Sequence, residues 1–227
     1  NVEELLFLAR DFHHDANSEF RNQLFKAVNP KDLTSLHTLY QREYQKIPFS
    51  KDKQEHILNA ILIKSYMKAI DETITLTSEE ERVLHDYLFS VEIWGLYELS
   101  FFSSCSPLLS VQLLTKYTRE MLRKSDFLQG VGKNRNMMHT LLLNGFMACI
   151  EVDDFTNALY FKKQIEKNFF EENETYFRIV YLWAEGLLDS KQGRVEDGQR
   201  KMEDAVRIFE MIGCSKSADY YRSAIEC

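Results

Sequence analysis

Apolar side chains recur three or four positions apart along most of this chain, a spacing that gives a helix one apolar face. The stretch 52–73 is typical, with Ile57, Ile61 and Ile70 on one side of a long expected helix. Read in this way, the pattern predicts about eleven helices and no strand. The expected helices cover 2–14, 17–27, 31–44, 52–73, 79–102 and 107–124, then two helical hairpins within 133–213, and finally 215–225.

Local signals place several of the helix ends. Ser78 followed by Glu81 fits a capping box at the start of the helix 79–102. The expected helix 31–44 ends before Pro48, and Pro107 is expected to begin the helix 107–124. Gly130 and Gly132 are expected to form a flexible joint within one domain rather than a boundary between two.

The stretch 133–213 contains two hairpins with one plan. Superposing their polar turns places Asp153-Asp154-Phe155 on Gly193-Arg194-Val195, and Ala158 on Gly198. Small residues therefore recur where the second helix of each pair would cross the first. A two-helix unit of about 34 to 40 residues with this spacing is similar to the tetratricopeptide repeat. We therefore expect an all-α fold, a right-handed α-solenoid of about five such hairpins with 215–225 as a C-terminal capping helix.

Composition and charge exclude several classes of function. The net charge of −7 argues against nucleic-acid binding by this chain itself, because phosphate neutralisation needs clustered Lys and Arg. The four Cys and six His form no metal-ligand spacing, so no metal or other cofactor is expected. No phosphate loop, nucleophile elbow or catalytic Cys/His pairing is present, and we predict that the chain is not an enzyme. The spacing of the cysteines favours free, reduced thiols, and no apolar run is long enough to span a membrane. Both features favour a cytoplasmic protein.

Several motifs resemble one family of regulators. The run DYLFSVEIWGLYEL at 86–99 carries Glu92, Trp94, Tyr97 and Glu98 in one expected helix. Asn134-Arg135, Leu142-Leu143-Asn144, Glu185-Gly186-Leu187-Leu188 and the segment GRVEDGQRKMEDAVRIFEMIG follow later in the chain. Together these motifs resemble the C-terminal domain of Rgg/MutR/GadR-family transcription regulators, more loosely before about position 52.

The resemblance implies a function. The whole chain, 1–227, would be a single peptide-sensing and dimerisation domain, and the chain starts at Asn1 without the family's N-terminal helix-turn-helix domain. A short hydrophobic peptide pheromone would bind in the concave groove of a homodimer. The dimer would relay this binding to the missing DNA-binding domain and, through it, to DNA and RNA polymerase.

The first helix of each hairpin should line the groove, and residues three or four apart should share its face. Asn amides there could hold a peptide backbone, and Arg135 could receive a peptide carboxylate. For Leu143, Val180 and Leu187 an ordinary core position is an equally good interpretation. The candidate peptide-binding residues are Arg135, Asn136, Thr140, Leu143, Asn144, Met147, Tyr176, Val180, Trp183 and Leu187.

Four further residues have a functional and a structural interpretation. His139, on the first groove helix, could titrate near neutrality and make peptide binding pH-dependent, although a lone polar histidine is the more common case. Trp94, Tyr97 and Glu98 could border the groove. We favour core anchors for the two aromatic residues and an ion pair for Glu98.

Two other functions stay open at this point. A tetratricopeptide adaptor could bind a partner protein's tail with a clamp of Lys, Arg and Asn, for which only Arg135 and Asn144 qualify. A peptide-controlled inhibitor could use similar repeats to sequester a phosphotransfer protein, but would need an additional helical bundle ahead of the repeats.

Overall fold

The computed structural model describes residues 16–28, 32–124, 132–167 and 170–225. Within these ranges the chain forms helices, turns and loops without a strand, which confirms the all-α class. The predicted helix 2–14 and most of the joint at Gly130 and Gly132 lie outside the described residues; Gly132 itself begins a helix. The chain divides into two compact units, 1–90 and 91–227, and the prediction of one sensing domain stays a prediction.

The first unit contains four described α-helices and a 3-10 turn. They are α1 (Ala16–Val28), α2 (Leu33–Lys46), the turn Ile47–Phe49, α3 (Lys53–Lys68) and α4 (Ser78–Ser90). Helix α3 ends earlier than the predicted 52–73. The core between α1, α2 and α3 is apolar and includes Phe20, Leu24, Leu36, Ile63 and Met67.

A buried carboxylate fixes the start of α4. The predicted cap, Ser78 with Glu81, is shifted by one residue, since Thr77 Oγ1 accepts the N–H of Glu80 and Glu80 Oε2 accepts the N–H of Thr77 at 2.7 Å. Glu80 also pairs with Lys64 Nζ at 2.6 Å and is fully buried. The buried partner on α3 therefore decides which of two overlapping capping boxes forms.

The second unit begins with a helix break that the periodicity does not predict. In place of one helix over 79–102, α4 ends at Ser90 and α5 (Leu96–Cys105) begins after Gly95, whose backbone is extended. Trp94 lies in the break and is fully buried against Phe102, with ring centroids 5.4 Å apart. A 3-10 turn (Ser106–Leu108) then contains Pro107, so α6 (Val111–Lys124) starts later than predicted.

The two predicted hairpins are both present. They consist of α7 (Gly132–Glu151) with α8 (Phe155–Lys167), and α9 (Thr175–Lys191) with α10 (Val195–Met211), followed by α11 (Ser215–Ser223). Helices α7 and α9 also pack on each other, so the hairpins stack. The shared core is built on buried apolar residues, among them Phe146, Phe161, Ile165, Ala184 and Phe209.

The turns of these hairpins have one geometry, as their superposition predicts. Asp153 and Gly193 both adopt a left-handed backbone, with φ of 58° and 89°. Each is followed by an N–H that bonds back to a carbonyl five residues earlier, Asp154 to Cys149 and Arg194 to Asp189, both at 2.9 Å. This backward bond closes the end of a helix, as in the Schellman motif.

A third turn with the same geometry joins α10 to α11. Gly213 has φ of 77°, and the N–H of Cys214 bonds to Phe209 O at 2.8 Å. Ala218 follows at the position equivalent to Ala158 and Gly198 and is buried. Helix α11 therefore follows α10 through the same turn that joins the two helices of each hairpin.

Candidate functional site

Four of the predicted groove residues on α7 form one accessible stripe. Asn136 is exposed, and Thr140, Asn144 and Met147 are partly exposed, each about one helical turn from the next. Thr140 Oγ1 donates to Asn136 O at 3.0 Å, and this bond leaves the Asn136 side chain uninvolved. The stripe thus presents two amides and a thioether on one face, which is the chemistry predicted for holding a peptide.

The other predicted groove residues are divided between surface and core. Leu143, Val180 and Trp183 are buried in the hydrophobic core, at 3–5% exposure, so in this conformation they help to hold the repeats together. Tyr176 is half-exposed and touches Phe209, with centroids 5.7 Å apart. The structure therefore groups four of the α7 residues at the surface but does not present the α9 residues as a matching stripe.

Leu187 is partly buried against the same core, and Trp183 packs on Tyr221 at 5.3 Å. The indole Nε1 of Trp183 is buried without a hydrogen-bond partner. A buried donor without an acceptor lowers the stability of the folded state.

Arg135 does not lie free beside the stripe. Its Nε and a terminal nitrogen donate to the two carboxylate oxygens of Glu174, at 2.9 and 3.1 Å. Hydrogen bonding to Glu174 raises the pKa of Arg135 above its usual value. Glu174 is the residue before α9, yet its side chain makes no cap bond to that helix. It connects the start of α9 to the start of α7 instead.

The sequence did not indicate Glu174 as a site residue. Glu174 follows the acidic pair Glu171 and Glu172 just before a helix, where the helix dipole alone is a sufficient reason for acidic residues. The available signal was Arg135, a cation near the start of an expected helix, where the helix dipole favours a negative charge nearby.

Burial raises the pKa of Glu174, but hydrogen bonds from Arg135 and from the N–H of Glu171 outweigh this effect and hold the pKa below 4.5. The N–H of Glu171 lies 2.6 Å from Glu174 Oε2. The carboxylate is therefore ionised at neutral pH and balances the charge of Arg135.

His139 lies behind this ion pair and is buried at 2% exposure. Phe170 and Phe177 enclose its ring, with centroids 4.6 and 5.4 Å away. Its Nε2 is 3.3 Å from Glu174 Oε2 without hydrogen-bond geometry, so both ring nitrogens are buried without a hydrogen bond.

Burial lowers the pKa of His139 to about 4. The negative charge of Glu174 opposes this effect, and the positive charge of Arg135 adds to it. This burial argues against the expectation that His139 titrates near neutrality, because the enclosed ring is held neutral there.

Of the two aromatic residues in the earlier motif, Trp94 is a core anchor, as predicted, whereas Tyr97 is only partly buried. Trp94 is fully buried, and Tyr97 stacks on Phe101 with centroids 6.4 Å apart.

Two surface cavities lie away from the predicted groove residues. One of about 500 Å³ is lined by Arg42, Lys46, Phe49 and His56 in the first unit. The other, of about 340 Å³, lies on α10 and α11 beside Arg207, Glu210 and Arg222. Among the described residues no group of three His, Cys, Asp or Glu side chains could hold a metal ion, and none of the helices described here is long and apolar enough to cross a membrane.

Comparison with solved structures supports the fold. A form of the SHP pheromone receptor Rgg2 of Streptococcus dysgalactiae with one cysteine replaced by serine is similar, with a TM-score of 0.79 and 25% identity over 95% of this chain and 76% of that one. A second Rgg2 structure from that organism gives a TM-score of 0.78 at 25% identity, covering 94% of this chain and 76% of the other. A putative transcriptional regulator from Listeria monocytogenes EGD-e has the same fold, with a TM-score of 0.76 at 19% identity over 100% and 78% of the two chains.

The family itself follows from a match along the sequence. The model of the C-terminal domain of the HTH-type transcriptional regulator Rgg matches residues 37–223, most of the chain. The match spans both compact units and includes both hairpins, the accessible stripe on α7 and the Arg135–Glu174 pair. This chain therefore belongs to the family of Rgg transcription-regulator C-terminal domains.

Proposed function

We propose that this domain binds a short hydrophobic signalling peptide along the accessible stripe of α7 and the adjoining surface of α9. The observation that carries the proposal is the stripe of Asn136, Thr140, Asn144 and Met147, which is open on the first helix of a stacked hairpin. Amides one helical turn apart can pair with successive backbone groups of an extended peptide, while Met147 adapts to its side chains. The similarity to two structures of an SHP pheromone receptor supports a peptide as the ligand.

The remaining predicted residues have defined parts in this proposal. Tyr176 and Leu187 offer partly exposed apolar surface on α9. Leu143, Val180 and Trp183 support the groove from below, so they act on peptide binding through the shape of the surface.

The domain acts as a homodimer in this proposal and passes peptide binding to an N-terminal DNA-binding domain. Large apolar side chains are exposed at the end of α10 and on α11, at Met211 (79%), Ile212 (55%) and Tyr220 (68%). Exposed apolar groups near one end of a solenoid favour association with a second copy. The peptide can shift the equilibrium between two conformations of the dimer only as far as its affinities for those two conformations differ.

Titration with fluorescently labelled short hydrophobic peptides tests the proposal. We expect saturable, sequence-selective changes in anisotropy. Asn136→Ala and Asn144→Ala should weaken this binding, whereas Gln112→Ala, at an exposed position on α6, should leave it unchanged. No binding to any peptide, from folded protein, would favour an adaptor for a protein tail. Sedimentation tests the dimer, and a monomer at every concentration would contradict it.

A further inference from the structure

Glu174 fills the guanidinium fork of Arg135 in the manner of a bound carboxylate. Both carboxylate oxygens accept from Arg135, at 2.9 and 3.1 Å, which is the bidentate geometry that Arg offers to any carboxylate. The side chains of Arg135 and Glu174 are 21% and 10% exposed. The pair thus lies at the edge of the surface next to Asn136, where a peptide on the stripe would end or turn.

The arrangement leaves a hydrogen-bonding group unused. His139 is buried, and its Nε2 faces Glu174 Oε2 at 3.3 Å with poor geometry, so neither ring nitrogen has a hydrogen bond. Glu174 is the residue just before α9, so its backbone position is fixed, and its side chain also accepts the N–H of Glu171. These constraints hold its carboxylate where it satisfies Arg135 but not His139. A carboxylate that is free to move could satisfy both.

The loop before α9 has anchors that do not depend on the Glu174 side chain. Arg178 donates to the carbonyl oxygens of Phe170 and Glu171, at 2.5 and 3.0 Å. Phe170 is 1% exposed and stacks on Phe177, with centroids 5.9 Å apart. Glu174 can therefore leave Arg135 while the loop stays folded.

We propose that Glu174 is an internal substitute for a ligand carboxylate, which the ligand displaces from Arg135 when it binds. The incoming carboxylate pairs with Arg135 and accepts the N–H of His139, and Glu174 turns to solvent. This proposal rests on the proposed function and adds the class of the ligand: a peptide with a free carboxylate at the end that reaches Arg135. In the unliganded domain Glu174 keeps Arg135 paired and competes with weak or neutral ligands.

A C-terminal carboxylate and an Asp or Glu side chain share this chemistry, and small probes distinguish them. The 227-residue chain, labelled with ¹⁵N-arginine, is titrated with N-acetyl-leucine, with N-acetyl-aspartic acid α-amide and with neutral N-acetyl-leucinamide. The readout is the Nε–H resonance of Arg135, assigned by its loss in Arg135→Lys. The variants are Glu174→Gln, which removes the charge but retains the shape, and the control Glu172→Gln, at an exposed neighbouring carboxylate.

The expected result is that a carboxylate probe shifts the Arg135 resonance in the wild type and that the amide does not. Glu174→Gln should tighten this binding about tenfold, which corresponds to about 1.4 kcal/mol, whereas Glu172→Gln should leave it unchanged. A stronger response to N-acetyl-leucine assigns a C-terminal carboxylate, and a stronger response to the aspartate probe assigns a side chain.

Equal affinity in Glu174→Gln and wild type would overturn the proposal, as would an equal response to the neutral amide or no response to either carboxylate. Circular dichroism verifies that each variant is folded. This experiment follows the Arg135 resonance on addition of small probes and uses no peptide. A negative result here is therefore distinguishable from a negative result in the peptide titration.

Discussion

Gly186 and Gly198 bring the backbones of α9 and α10 into direct contact. A Cβ on Gly186 would lie 2.6 Å from the carbonyl oxygen of Gly198, and one on Gly198 would lie 2.4 Å from that of Gly186. Both neighbours are main-chain atoms, which cannot move aside as a flexible side chain can. We predict that Gly186→Ala lowers the free energy of unfolding by roughly 1–3 kcal/mol, the usual cost of overpacking.

Urea unfolding measures this effect, and Gly193→Ala provides a control with a different cause. A Cβ at Gly193 has open space around it, but φ is 89°, so its cost should be about 1–2 kcal/mol and come from the backbone alone. Gly193→Asn should retain more stability than Gly193→Ala, because Asn tolerates the left-handed region. Wild-type stability of Gly186→Ala would contradict the close crossing.

Asn136 and Leu143 lie on the same helix but should respond to substitution in different ways. Asn136 is exposed, so Asn136→Ala should leave stability unchanged and weaken peptide binding by roughly 1–3 kcal/mol, the cost of a missing hydrogen bond in a buried interface. Leu143 is buried, so Leu143→Ala should lower stability by about 2–5 kcal/mol.

Anisotropy with the tightest peptide of the panel and urea unfolding separate the two effects. If folded Asn136→Ala binds with wild-type affinity, the peptide does not use this amide.

The burial of His139 predicts how stability depends on pH. Its pKa is lowered to about 4 in the folded protein from 6.5, so the unfolded chain takes up a proton first as the pH falls. The contribution of His139 to stability is therefore complete above pH 6.5 and is lost between about 6.5 and about 4. Peptide binding should show no His139-dependent midpoint near 6.5.

Across this pH range, the free energy of unfolding should change less with pH for His139→Leu than for the wild type. His37→Gln, at an exposed histidine, is the control and should retain the wild-type dependence. A pH dependence that is the same in His139→Leu and wild type would show that the buried ring is not the source.

The buried pair Lys64–Glu80 gives a fourth prediction. Glu80 has no exposed surface and accepts from Lys64 at 2.6 Å and from Tyr40 and Tyr44 at 3.0 Å. Lys64→Met leaves a buried carboxylate without its cation and should cost about 3–5 kcal/mol. Adding Glu80→Leu should recover part of this loss, since no charge then remains buried.

A thermodynamic cycle of the two single variants and the double variant measures the coupling. Additive effects would show that the two charges do not depend on each other.

Local signals predicted the hairpins, and long-range contacts decided where the predictions differ from the structure. Asp153 and Gly193 mark turns by their own conformational preferences, so the sequence was sufficient there. The capping box was predicted one residue late, because Thr77 with Glu80 and Ser78 with Glu81 fit the same pattern. The buried partners of Glu80, Lys64 above all, distinguish them, and they lie far away in the sequence. The break before Gly95 was missed because apolar periodicity continues across it.

The candidate site shows the same division. On α7 polar and apolar residues alternate at helical spacing, so the accessible register of Asn136, Thr140 and Asn144 could be predicted. Helix α9 is apolar on several sides, and periodicity alone could not show that Val180 and Trp183 pack inward. The pairing of Arg135 with Glu174 joins residues far apart in sequence, which no local pattern can predict.

Glu80 also has a consequence for how the first unit opens. Its carboxylate accepts the N–H of Thr77 at the start of α4 and, with the same oxygen, the ammonium group of Lys64 on α3. The first turn of α4 therefore cannot fray as helix ends usually do without also breaking a buried ion pair. Slow hydrogen exchange at the Thr77 amide would report this coupling, in which the end of one helix opens only together with its neighbour.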